Sequence, residues 1–310
     1  MRAHKLNKKM IQSAVAQRKT VDVAFIGDSI TEEWNGRWAG RNMTRLAPIK
    51  QVFDEYFNKA NQAQFEGMAL GINGDHCPHL LWRLQHGEMP KDFNPKIWWI
   101  LIGTNDLTSG GCSPEVVLLG ILRLVEEIQH VKPDAMVVIN GILPSAVPAV
   151  KRDRKFMNSA GMGGRLPGMG PGGQKMKPKR QEVDDEEEAG QADVETEQLP
   201  NKNPFFRGYT EVKDLMPTIK IINAQLKKFA HNHENVYYYD FTDVFVKYDE
   251  SHGGNKRIID EKFLSGVHPT PPGHKKWAKQ IVEKLMELLP PDGKLNYIPS
   301  PDEDGIYPDD

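Results

Sequence analysis

A chain of 310 residues with 39% hydrophobic and 26% charged residues has the composition of an ordinary globular protein, with enough aromatic residues to build a core. A formal net charge of −2 removes any general electrostatic case for nucleic acid or an anionic membrane surface. Two cysteines, Cys77 and Cys112, are too few for a disulfide framework and fit a reducing compartment. The basic N-terminus has no apolar core behind it, and no apolar run approaches the ~20 residues that span a bilayer, so a cytoplasmic protein without a membrane span is expected.

The chain reads as helices alternating with short apolar strands. A polar helix over 5–18 leads into a strand over 21–26 that stops at Gly27-Asp28-Ser29-Ile30, delivering a serine onto a tight turn. A Trp-bearing stretch follows, in which Trp34 and Trp38 could line a cleft or pack in the core. A helix over 48–59 carries Val52, Phe53, Tyr56 and Phe57 on one face. A second strand, 64–70, ends at Gly71-Ile72-Asn73-Gly74-Asp75, and a helix runs through Leu80 to Leu84. The strand over 96–102 is apolar on both faces, as a central parallel strand should be, and ends at Gly103-Thr104-Asn105-Asp106. Ser113, Pro114 and Glu115 open a helix to about 131. A fourth strand covers 135–140.

Residues 145–205 depart from this pattern: a basic, Gly-rich block is followed directly by an acidic one from Glu182 to Glu188. Such a composition buries too little apolar surface to offset its ordering entropy, so a mobile insertion is expected, with a partner-binding arm as the alternative. Order resumes with a helix over 210–231, a fifth strand over 236–241, a loop over 249–264 and a helix over 271–289 introduced by Ser265-Gly266-Val267-His268-Pro269. The expected organisation is an N-terminal helix (1–20), one domain made of 21–144 and 206–289, the insertion, and a tail over 290–310. Five strands alternating with helices predict a parallel sheet covered on both faces, with ligands at the carboxyl ends of its strands.

Taken singly, the motif residues have ordinary readings. Ser29 or Asp28 could cap a helix, with Glu32 closing a capping box; Asn105 could cap another; Gly74 could serve a turn of positive φ; His268 could be a loop histidine. His76, Cys77 and His79 are metal-capable, but no second Cys/His pair stands at structural-zinc spacing, so no metal is expected. The GxSxG signature of α/β-hydrolases is absent.

Taken together, Gly27-Asp28-Ser29-Ile30, Gly71-Ile72-Asn73-Gly74-Asp75, Gly103-Thr104-Asn105-Asp106 and Val267-His268 resemble, in order and spacing, the sequence blocks of the SGNH (GDSL-type) hydrolases. Leu80-Leu81-Trp82-Arg83-Leu84, Gly87-Glu88 and Asn94-Pro95-Lys96-Ile97 look like the platelet-activating-factor acetylhydrolase type Ib catalytic subunits within that superfamily. The resemblance implies a flavodoxin-like three-layer α/β/α fold and a serine esterase acting on a small acyl ester, acetyl first among them, of a lipid or carbohydrate. It implies Ser29 as nucleophile, Gly74 N–H and the Asn105 amide as oxyanion donors beside Ser29 N–H, and His268 as base, with no cofactor. The resembled subunits pair and bind a propeller-type partner, so a homodimer is an expectation on the same ground.

One member departs from the family. Its aspartate three residues before the histidine is Ser265 here. Asp260 or Glu261 could be recruited, Ser265 or a backbone carbonyl could hold the ring, or hydrolysis could be largely lost, leaving an interaction protein. The preferred expectation is a working esterase.

Overall fold

The computed structural model describes residues 2–148, 212–250 and 257–290. The insertion expected from 145 falls outside them from residue 149 onward, as does the tail from 291. Contacts group Met1–Val147 with Lys213–Asp310 as one unit, to which everything below refers; the other, Pro148–Val212, lies almost wholly outside the described residues.

Five parallel strands form the central sheet: β1 (Val23–Gly27), β2 (Gly67–Gly71), β3 (Ile97–Leu101), β4 (Met136–Asn140) and β5 (Val236–Tyr239), in the order β2-β1-β3-β4-β5. This is the expected α/β/α fold with flavodoxin-like strand order, whose switch point lies between β1 and β3. The helices are α1 (Arg2–Ala16), α2 (Ser29–Glu33), α3 (Ala47–Phe57), α4 (Cys77–Arg83), α5 (Thr104–Thr108), α6 (Pro114–Val131), α7 (Met216–His231), α8 (Thr242–Phe245) and α9 (Pro271–Leu288).

Alternation along the strands divides the core. Trp98 and Ile100 of β3 face one apolar layer with Ile11 of α1, Leu80 of α4, Ile121 of α6 and Leu226 of α7. Ile97, Trp99 and Leu101 face the other, with Phe53 and Phe57 of α3 and Trp277 and Ile281 of α9. Both faces are buried, which is why the strands read as unbroken apolar runs.

Three local readings need correction. Val212–Asp214 is extended, and α7 starts only at Met216, with Pro217 in its first turn. The fifth strand ends at Tyr239, and Thr242–Phe245 is helical. The segment read as loop over 249–264 holds two half-hairpins: Arg257–Ile259 pairs with Val246–Tyr248, and Leu264–Ser265 pairs with His268–Pro269. Strands of two or three residues carry too little periodicity to be seen in sequence.

Two glycines set the edge from which the site grows. Gly27, Gly71 and Leu101 stand at one level of the sheet. A Cβ on Gly71 would lie 2.2 Å from Glu32 N and 2.4 Å from Asp28 O, and one on Gly27 would lie 2.1 Å from Leu101 O. Only glycine lets α2 come down onto the end of β2.

Candidate active site

Ser29 is the first residue of α2, immediately beyond β1, and is 5% exposed. The cap is Asp28, whose side chain accepts from Ile30 N–H at 3.0 Å. Glu32 closes no capping box. Its carboxylate accepts from Ala39 N–H (2.9 Å), Gly40 N–H (2.7 Å) and Asn73 N–H (2.8 Å), tying α2 to the turn that carries Gly74.

His268 reaches Ser29 from the far end of the chain: Nε2 and the Ser29 hydroxyl are in hydrogen-bond contact at 2.8 Å. The ring rests edge-on against Trp38, with centroids 5.4 Å apart, and the Arg45 guanidinium covers the same indole at 5.1 Å. Trp34, by contrast, is core. Burial holds the His268 imidazole below its ordinary value, Glu33 pulls the other way, and His274 and Arg45 add to the lowering. The ring is therefore neutral at pH 7 and free to accept a proton.

Gly74 has φ +79° and an exposed position where a Cβ would meet nothing within 4 Å, so the turn borders open space. Asn105 caps nothing. Its side-chain amide donates to Asp75 O at 2.9 Å, which orients it beside that turn and leaves its second N–H unused. The loops after β1, β2 and β3 are further joined by Ile72 N–H to Gly27 O (3.2 Å) and Cys77 N–H to Asp106 (3.2 Å).

Behind this edge lies a buried ionic cluster that patterns of hydrophobicity do not reveal. Arg83 donates to Gly27 O (2.9 Å), Leu70 O (3.1 Å) and Asp75 Oδ2 (2.6 Å), and pairs with Glu88. Glu88 also meets His4 Nδ1 at 2.7 Å and Asn7. The advance signs are charge inside an otherwise apolar helical stretch and the place of Arg83 and Glu88 in the block that carries the family resemblance.

The His268 side is different. Ser265 faces His268 across a two-residue turn opened by Gly266 at φ +66°, but it is exposed and makes no bond to the ring. Asp260 is engaged with Lys262 N–H (3.1 Å), and Glu261 is exposed. Among the described residues no group hydrogen-bonds His268 Nδ1, so the recruitment of Asp260 or Glu261 is not what this loop builds. His76 N–H donates to His79 Nδ1 at 3.1 Å in the first turn of α4, where Cys77 is buried. Among the described residues no cluster of metal-capable side chains forms.

A cavity of about 610 Å³, bounded by Arg2, His4, Ile72, Asn73, Gly74 and Trp82, adjoins the Gly74 turn. Two others, of about 490 and 770 Å³, lie against α7 and against the amino end of β3, away from Ser29.

Residues 25–276 match the GDSL-like lipase/acylhydrolase family. The chain belongs to that family. Curated relatives include the alpha1 subunit of platelet-activating factor acetylhydrolase IB from Bos taurus, 32% identical over 120 residues (39% of this chain, 48% of the relative). The alpha2 subunit from Rattus norvegicus is 31% identical over 126 residues (41% and 45%). The chain thus spans about half the length of the curated relatives it matches. A GDSL-like lipase from Bacteroides thetaiotaomicron shares the fold at TM-score 0.53 and 18% identity, over 91% of this chain and 98% of its own.

Proposed function

We propose that this family member is a serine esterase that removes a small acyl group, acetyl first among them, from a lipid or carbohydrate alcohol. The observation that carries the reading is the 2.8 Å bond from the Ser29 hydroxyl to His268 Nε2 at the carboxyl edge of the sheet. The acetylhydrolase names of the curated relatives support the choice of acyl group.

In this reading Ser29 Oγ attacks the ester carbonyl carbon while its proton passes to His268 Nε2. The carbonyl oxygen becomes an oxyanion, received by Ser29 N–H, Gly74 N–H and the free N–H of Asn105, each such donor being worth about 10²–10³ in rate. Breakage of the carbon–oxygen bond to the alcohol takes the proton back from His268 and leaves acyl-Ser29. Water, deprotonated by His268, then releases the carboxylic acid and frees Ser29. No cofactor enters these steps. A cytoplasmic location and a homodimer belong to the same proposal; among the described residues no helix is long and apolar enough to cross a membrane.

The purified protein should hydrolyse p-nitrophenyl acetate and take up a fluorophosphonate label, and Ser29→Ala should abolish both. Folded protein that shows neither overturns the reading. That no described residue hydrogen-bonds His268 Nδ1 favours a second one, an interaction protein with impaired hydrolysis. For that, deletion of residues 150–204 should abolish partner capture, and retained capture would count against it.

A further inference from the structure

The two acids that follow the nucleophile serve different ends. Glu32 is saturated with backbone N–H donors, as described above. Glu33 is 3% exposed, yet its Oε2 has no hydrogen-bond partner. Its nearest basic neighbour is His274 Nε2 at 3.5 Å, within ion-pair reach but without hydrogen-bond geometry. His274, at 0% exposure, has neither ring nitrogen hydrogen-bonded and lies edge-on to Trp34, 4.4 Å between centroids. A buried carboxylate without a donor is costly, and the fold draws no cap, turn or tether from this one.

Position supplies a use for it. Glu33 stands one helical turn after Ser29, so both side chains leave the same flank of α2. Resting on the esterase reading above, we propose that Glu33 is a positioning residue that furnishes, from the nucleophile's own helix, the negative charge that Ser265 cannot place beside His268.

The surrounding charges single it out. His268 feels the charges of Glu33 and Arg45, and of these only Glu33 favours the imidazolium; burial pushes His274 down to about 3, so it is uncharged near neutral pH. Glu33 in turn faces His268, Arg45, Glu32 and His274. When His268 takes the Ser29 proton it becomes a cation in a half-buried site, where an anion on the buried side lowers the energy of that state. Glu33 acts through charge, while the Ser29 bond and the Trp38 edge hold the ring.

Protonation of Glu33 makes this testable. Burial pushes its carboxyl up to about 7, with His268 and Arg45 pulling it down and Glu32 adding to the rise. The competent form has Glu33 ionised and His268 neutral. The acid limb of kcat/KM in the wild-type protein therefore falls near pH 7, although His268 alone would titrate below 6.5.

The experiment measures ester turnover against pH for the wild type, Glu33→Gln, Glu33→Asp, Ser265→Asp and the Glu33→Gln/Ser265→Asp pair. Glu33→Gln should lower kcat roughly 10–100-fold, less than the ~10⁴ lost when a hydrogen-bonded triad carboxylate is removed, leave KM in place, and move the acid limb below 6.5. Glu33→Asp should recover part of kcat and the near-neutral limb. Ser265→Asp should restore the Glu33→Gln variant. A wild-type limb already below 6.5, which requires no variant to fold, overturns the proposal. So does a Glu33→Gln variant with unchanged kcat and limb in a protein whose turnover Ser29→Ala abolishes. A wild type with no Ser29-dependent turnover instead fails the esterase reading itself, and takes this inference with it.

Discussion

The turn that bears Gly74 and the loop that bears His268 are secured by different means. The Asn73–Asp75 turn is gripped from three directions: Glu32 on Asn73 N–H, Arg83 on the Asp75 carboxylate and Asn105 on the Asp75 carbonyl. The His268 loop rests on a two-pair hairpin, the bonds of Thr270 to Phe263 O and Lys262 O, one aromatic edge and the bond to Ser29. Preorganised donors do their work by not moving, so rigidity on that side is catalytic in the proposed mechanism. A base must exchange protons with two different oxygens, and there the protein relies on a field more than on a fixed bond.

Mutations that attack the rigid side should cost most. Arg83→Met leaves Asp75 and Glu88 buried without their cation, and about 3–5 kcal/mol of stability should be lost, read as a shift in the urea midpoint. Unchanged stability would show that the cluster does not brace the strand ends. Asn105→Ala should reduce kcat by about 10²–10³ with KM nearly constant; an unaltered kcat would remove Asn105 from the oxyanion site. Glu32→Gln, which turns an amide NH₂ toward a backbone donor, should cost about tenfold in kcat by loosening Asn73.

A smaller effect concerns pH and stability. Burial raises the Asp28 carboxyl to about 7, opposed by its Ile30 bond and helped by the charges of Asp75, Asp106 and Glu33; Glu33 is raised to a similar value. Between the ordinary carboxylate range and 7 the folded protein thus holds more protons than the unfolded one. Their contribution to stability falls as pH rises through that window. Asp28→Asn should flatten the decline in Tm between pH 5 and pH 7 by a few degrees, and an identical slope would refute the assignment. Least of all, Ser265→Ala, on the loosely held side, should change stability by less than about 0.5 kcal/mol and turnover by less than twofold. A large loss would mean that its hydroxyl steers His268 after all.

The sheet was legible because Ile97 to Ile102 is buried on both faces, and period and composition then agree. Ser29 and His268 were singled out by the order of four blocks, and the fold brings their side chains to within 2.8 Å. Glu33, Arg83 and Glu88 were not. Reading by hydrophobicity assigns charged residues to the surface, and burial of a carboxylate is decided by what other segments bring to it, here His274 from the last helix and His4 from the first. The short hairpins around Ser265 escaped for another reason: pairing over two residues is imposed by the loop's ends and leaves no periodic trace.

The chain of polar contacts from His4 through Glu88 to Arg83 links α1 to the carbonyl that ends β1, one residue short of Asp28. Arg2 and His4 also wall the cavity beside Gly74. Helix α1 thereby braces the carboxyl edge of the sheet and walls the cavity beside the Gly74 turn at once.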